Sequence, residues 1–161
     1  MGRRRFGRLE ARAPRPADEG FLEALYLDSR PDLGALPVPR GVIEGIARHQ
    51  RRLQADDYAR RYPAAATWLA LDAGLAVARV VLDRGGGMLR VVDLSVLAAA
   101  RRCGVARAVL ESLQQEEMAL ALRVRADNTA ARALYAKLGF TLAHDDGATL
   151  ELAWRRAGQN E

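Results

Sequence analysis

The chain is expected to fold as one α/β (α+β) domain over residues 1–161: a mixed, mostly antiparallel sheet of about six to seven strands with helices on both faces. Three observations carry this. Half of the 161 residues are hydrophobic, enough to build the core of a single domain. The pattern changes along the chain, from short apolar runs joined by tight turns, to strand–helix–strand–helix, to a last pair of short runs. Tight turns set neighbouring strands antiparallel, whereas a strand–helix–strand unit crosses over in the right-handed sense and sets two strands parallel.

Taken in order, Arg3 to Ala13 alternates loosely and reads as a first strand at an edge, ended by Pro14 and Pro16. Pro16 suits the first turn of a helix, where Asp18 and Glu19 favour the positive end of the helix dipole. Phe21, Leu22, Leu25 and Tyr26 then fall at helical spacing. Pro31 to Pro39 carries three prolines and reads as a loop. A second helix is predicted from Arg40 to Arg61, with Ile43, Ile46, Gln50 and Leu53 on one stripe, and Pro63 beyond its end. Thr67 to Leu71 and Leu75 to Leu82 read as strands joined at Asp72-Ala73-Gly74.

Asp83-Arg84-Gly85-Gly86-Gly87 is a hairpin turn rather than a phosphate loop, because no helix pattern and no Gly-Lys-Ser/Thr follows it. Leu89 to Val96 is a Val- and Leu-rich strand with a central place in the sheet. A helix begins near Gly104, strand 120–126 follows, and a further helix ends at Gly139. The first of these helices, used as a crossover, sets strand 120–126 parallel to strand 89–96. Thr141 to Ala143 and Thr149 to Trp154 close the sheet around the turn His144-Asp145-Asp146-Gly147.

Composition narrows the function classes. The net charge is +5 and the pI about 10.1, yet all but one of the 25 basic residues are arginines, Lys137 being the exception. They are spread along the chain without interleaved stacking aromatics, so no nucleic-acid partner is expected. No apolar run nears the roughly 20 residues that span a bilayer. Met1 to Arg8 is basic without an apolar stretch behind it, and Phe6 breaks the myristoylation pattern, so neither a secretory signal nor a membrane anchor is expected. A lone Cys103 excludes an intrachain disulfide and suits a reducing cytoplasm. The two histidines, His49 and His144, form no triad or ligand spacing, so neither a cysteine nucleophile nor a metal site is expected.

Two stretches carry chemistry. Arg101-Arg102-Cys103-Gly104-Val105-Ala106 opens a helix with small residues and cations. A helix N-terminus exposes free backbone N–H groups and partial positive charge, a natural seat for phosphate, and Gly104 and Ala106 permit close approach. The second stretch, Asn128-Thr129-Ala130-Ala131-Arg132-Ala133-Leu134-Tyr135-Ala136-Lys137-Leu138-Gly139-Phe140, has a cap at Asn128 or Thr129 and an apolar stripe of Ala131, Leu134 and Leu138. Gly139 is the helix stop and Phe140 an anchor. Those features need no function. They leave Tyr135 unexplained at the edge of the stripe.

Both stretches resemble motifs of the GNAT N-acetyltransferase superfamily. The first is similar to Arg/Gln-x-x-Gly-x-Gly/Ala, the loop that seats the pyrophosphate of acetyl-coenzyme A. The second matches Asn-x-x-Ala-x-x-Leu-Tyr-x-x-x-Gly-Phe without a gap. The first departs from the family pattern: relatives usually carry glycine where Arg102 stands, a basic residue at Cys103 and often proline at Ala98.

The resemblance implies an acyl-coenzyme A core over residues 88–140 and a V-shaped splay between strands 89–96 and 120–126. The pantetheine arm of acetyl-coenzyme A, the expected cosubstrate, would lie between them against the backbone of Leu94, Ser95 and Val96. It further implies that Asn128 contacts pantetheine and that Tyr135 faces the sulfur and protonates the leaving thiolate. The expected activity is acetyl transfer to a primary amine by direct attack in a ternary complex, with no metal.

Asp93 is the carboxylate nearest the reaction centre and the candidate base. Its other reading is a structural residue paired with an arginine. Some relatives place a glutamate where Arg123 stands. The acceptor, a small molecule or a protein N-terminus, is not legible in the chain, nor is a homodimer. The alternative function is a non-catalytic coenzyme A-binding or interaction module with a degenerate pyrophosphate loop.

Overall fold

The computed structural model describes residues 2–158. Its centre is one eight-stranded sheet ordered β1-β2-β3-β4-β5-β6-β8-β7. The strands are β1 (Arg4–Phe6), β2 (Leu9–Arg12), β3 (Ala66–Asp72), β4 (Leu75–Gly85), β5 (Met88–Val96), β6 (Ala119–Arg125), β7 (Thr141–Asp145) and β8 (Thr149–Arg155). The helices are α1 (Glu19–Asp28), α2 (Pro31–Gly34), α3 (Arg40–Arg61), α4 (Val105–Glu116) and α5 (Thr129–Lys137). Every pairing is antiparallel except β5 with β6, where the crossover through α4 makes it parallel.

The sheet has eight strands rather than six or seven because Arg3 to Ala13 is not one strand. Gly7, at φ +58°, turns it into the β1–β2 hairpin, with Phe6 opposite Leu9. Both side chains are fully buried, which holds so short a hairpin in place. The proline-rich stretch also differs from expectation. Pro31 takes the first turn of the short helix α2, whose Leu33 packs with Ile43 and Ala47 of α3. α3 itself runs over the predicted residues.

Each face of the sheet has its own helical layer. Alternating residues of β1–β6 and β8, among them Phe6, Val80, Leu89, Val91, Leu120 and Leu122, pack with Val105, Val109, Leu110 and Leu113 of α4 and with the half-buried Leu134 and Leu138 of α5. α1 and α3 cover the other face, where Leu22, Gln54 and Tyr58 line a cavity with Thr67, Arg79 and Val81.

One residue disturbs the central ladder. β4 pairs Leu82 with Val91 and Val81 with Asp93, so Val92 is an extra residue in β5. Such a bulge bends and twists its strand. Pairing between β5 and β6 covers Leu89↔Leu120, Arg90↔Ala121 and Val91↔Leu122 and stops there. Beyond Val91, β5 stays on β4 as far as Val96, and β6 stays on β8 as far as Arg125. The two central strands part there, the splay that the resemblance implies.

Candidate active site

The parted strands meet the start of α4. Gly104, at φ +75°, is the residue before the helix and gives it no side-chain cap, and no acidic residue sits in the first turn. The first N–H groups of α4 therefore have no partner within the helix and keep their partial positive charge. Burial of Val105, Val109, Leu110 and Leu113 fixes the position of this open end.

The preceding loop is tied from two sides. Ala98 N–H donates to Asp28 Oδ2 at 2.7 Å, and Arg101 donates through Nε to the Val96 carbonyl and through Nη2 to the Asp28 carbonyl, both at 3.2 Å. Arg8 Nη2 donates to the Cys103 carbonyl at 2.8 Å. Arg102 adopts φ +62°, a left-handed conformation that costs a side-chain-bearing residue about 1 kcal/mol. This is the position where related loops carry glycine, so the departure read from the sequence has a local energetic cost.

Between this loop and α5 lies a groove of about 500 Å³, lined by Val96, Arg101, Arg102, Gly104, Val105 and Ala106, with Ala130, Ala133 and Leu134 opposite. Leu94, Ser95, Cys103, Asn128 and Tyr135, predicted with them, are not part of its lining. Cys103 is exposed, with its thiol toward the Arg101 carbonyl at 3.5 Å. Asn128 uses Oδ1 to cap α5, accepting from Ala131 N–H at 3.2 Å.

Backbone alternation sorts the strand residues. Leu97 N–H donates to the Val77 carbonyl at 2.8 Å. In an antiparallel ladder that bond turns the N–H and C=O of Ser95 toward β4 and those of Leu94 and Val96 away from it, into the gap. Leu94 and the Val96 N–H are thus free to meet an extended ligand there, whereas the Val96 carbonyl already accepts from Arg101 and the backbone of Ser95 faces β4.

α5 places Tyr135 on the other side. The helix ends in a Schellman motif: Phe140 N–H donates to the Tyr135 carbonyl at 3.0 Å and Gly139 N–H to the Ala136 carbonyl at 3.1 Å, with Gly139 at φ +88°. Phe140 is buried and its ring centroid lies 5.7 Å from that of Tyr135. The phenol makes no hydrogen bond among the described residues. Burial raises its pKa above the ordinary value of 10.0, and the charge of Asp93 raises it further. At neutral pH it is a proton donor in a partly dry setting.

Asp93 lies within β5 and faces the α1/α3 side. Arg79 Nε donates to its Oδ2 at 3.0 Å, and Ser95 Oγ lies 3.0 Å from both of its oxygens. The side chains of Arg79 and Asp93 are 15% and 16% exposed. The paired reading of Asp93 is therefore present in the structure, in mid-strand rather than at a strand end. Arg79 also reaches Gln54 Oε1 of α3 at 3.3 Å. Nearby on α3, burial and then the charge of Asp93 raise the phenol of Tyr58 above its ordinary value, against Arg79 and Arg61. Arg79 and Tyr58 escaped the sequence reading. The signal for Arg79 was a cation in the middle of the apolar run Leu75 to Leu82, which in a covered strand demands a partner.

The site thus joins a parted pair of central strands to an uncapped helix start in a covered α/β sheet, and a free helix start is a place where an anion can be held. The family model of the acetyltransferase (GNAT) domain matches residues 63–142, about half of the chain. The chain belongs to the GNAT acetyltransferase superfamily.

Solved structures with the same fold include PaiA N-acetyltransferase from Thermoplasma acidophilum in complex with coenzyme A, with TM-score 0.65, 15% identity, and coverage of 92% of this chain and 99% of that one. An acetyltransferase from Thermus thermophilus aligns with TM-score 0.65 at 18% identity, over 92% and 97% of the two chains. The ribosomal-protein-S18-alanine N-acetyltransferase from Escherichia coli aligns with TM-score 0.59 at 24% identity, over 95% and 98%. At these identities the likeness is one of fold. No curated protein matches the chain in sequence. No group of metal-ligating side chains occurs among the described residues, and none of their helices is long and apolar enough to cross a membrane.

Proposed function

We propose that this chain is an acetyl-coenzyme A-dependent N-acetyltransferase that moves the acetyl group to a primary amine by direct attack. The observation that carries the reading is the parting of β5 and β6 after Val91, which leaves the strand edge at Leu94 and the Val96 N–H open beside the start of α4. The pyrophosphate of the cosubstrate sits on the N–H groups of Val105 and Ala106, with Arg101, Arg102 and the exposed Cys103 around it and Gly104 allowing the approach. Its pantetheine arm pairs with the edge of β5, and Asn128 offers its amide from the start of α5.

The amine nitrogen attacks the thioester carbonyl carbon, and the oxygen takes the electron pair. A backbone N–H of the parted β5 edge stabilises that oxyanion, an interaction worth about 3–4 kcal/mol where such donors have been removed. The carbon–sulfur bond then breaks and the thiolate takes the proton of Tyr135. Asp93, steadied by Arg79 and Ser95, receives the amine's proton through water.

A second reading has its own support. Arg102 is held in a left-handed conformation, and two of the five donors of Arg101 go to the carbonyls of Val96 and Asp28. Those features suit a coenzyme A-binding module whose loop has lost its catalytic tuning. Thiol release from acetyl-coenzyme A, followed across a panel of primary amines, separates the two. An N-acetyltransferase releases thiol in an amine-dependent way and accumulates no acetylated protein. A binding module releases none with any amine, although coenzyme A still binds by calorimetry.

A further inference from the structure

The α1/α3 face of the gap carries charges of both signs, arranged unequally. On the β5 side, Asp93 is matched by Arg79, which lies across β4 beside it, and by the hydroxyl of Ser95. On the β6 side stands Arg123, the first residue past the last β5–β6 pair. Its cross-strand partner on β8 is Glu151, and Glu151 also binds Arg90 of β5. Two arginines therefore share one carboxylate.

Burial alone would raise the carboxyl of Glu151. The hydrogen bonds and charges of Arg90 and Arg123 outweigh it and hold the group below the usual carboxylate range. Glu151 stays ionised, and the cluster keeps one positive charge in excess. That excess resides at Arg123. Its side chain is 61% exposed against 28% for Arg90. It spends only Nε on Glu151, at 3.1 Å, and its two terminal nitrogens make no hydrogen bond among the described residues. The next acid, Asp146 in the β7–β8 turn, is occupied by the N–H groups of Ala148 and Thr149 and the Thr149 hydroxyl.

Resting on the acetyltransferase reading above, we propose that the acceptor is a free amino acid, a primary amine bearing its own carboxylate, which the open edge of Arg123 takes while the amine points toward Asp93. The planar guanidinium fork matches a carboxylate in geometry as well as charge. The matched Arg79–Asp93 pair adds no net charge to oppose it. Arg123 acts as a specificity-determining residue and takes no part in proton transfer.

The test compares thiol release with free amino acids, each beside its own carboxamide, in wild type and in Arg123→Gln. Taking the ratio of acid to amide in each protein, then comparing the two proteins, cancels the difference in amine basicity. The wild type prefers acids, and Arg123→Gln lowers the acid-to-amide ratio of kcat/KM at least about tenfold, the worth of one charge-assisted pair. Arg123→Lys restores part of it, which a purely structural role would not do.

Equal use of acids and amides by the wild type, an unchanged ratio in Arg123→Gln, or better use of a peptide N-terminus than of any free amino acid overturns the inference and leaves the acetyltransferase reading intact. Absence of thiol release with every amine offered, alongside normal coenzyme A binding, overturns that reading and the inference with it.

Discussion

The two helices that flank the gap begin in opposite ways. α5 closes its own start: Asn128 accepts from Ala131 N–H, and the far end is locked by Gly139 and Phe140. α4 leaves its start open, with a glycine where a capping side chain would stand. A helix that satisfies its own terminus is a rigid mount, suited to holding the Tyr135 phenol at a fixed place. A helix that leaves N–H groups without a side-chain cap keeps them open to water or to an anion. Under the proposed function, chemistry falls to one helix and binding to the other, and variants in each should affect different measurements.

The largest effect is expected at α5. Tyr135→Phe should lower kcat about 100-fold or more, the usual worth of a positioned acid, with the coenzyme A dissociation constant nearly unchanged in calorimetry. Equal rates would remove the phenol from the mechanism. At α4 the opposite split is expected. Gly104→Asp places a carboxylate at the open end, where a new Cβ meets no atom within 4 Å. Coenzyme A affinity should fall at least about tenfold through repulsion of its phosphates, while thermal unfolding shows a loss no larger than about 1 kcal/mol. Unchanged affinity would mean the phosphates sit elsewhere.

Two smaller effects sharpen the contrast. Asn128→Ala should cost about 1 kcal/mol of stability in chemical denaturation, because it removes a cap the helix uses itself. No comparable loss is expected from removing a side chain at the start of α4, which has no cap to lose. Arg102→Gly should relieve the left-handed strain and gain at most about 1 kcal/mol, read as a small rise in Tm. If coenzyme A affinity falls at the same time, the guanidinium contributes to phosphate binding despite its conformational cost.

What could be read in the chain was what is local. The cap, stripe, stop and anchor of α5 lie within thirteen consecutive residues, from Asn128 to Phe140, and each is set by its own side chain and its neighbours. The glycine before α4 is local in the same sense. The features that escaped depend on register. Arg79 meets Asp93 only because β4 and β5 align Val81 with Asp93 and Arg79 with Ser95, and Glu151 meets two arginines only because β8 lies beside β6. No window of sequence contains those pairs. The β1–β2 hairpin escaped because its strands of three and four residues are too short for alternation to distinguish from one bent run. α2 escaped because Pro31, read as a breaker, instead opens a helical turn.

The unpaired Val92 has a consequence for how this gap can be lost. Strand side chains point up and down in strict alternation, so one surplus residue reverses the phase of everything after it. Asp93 and Ser95 owe their side of the sheet to that reversal, and the slot beside them opens where it occurs. Exchanging Val92 for another residue keeps the count. Deleting it would leave the acid and the hydroxyl on their side, next in plain alternation after Val91, but would remove the local bend and offer β6 a straighter edge along which to close. The cleft is thus encoded in a number of residues as well as in their kinds, through a side chain that takes no part in the chemistry.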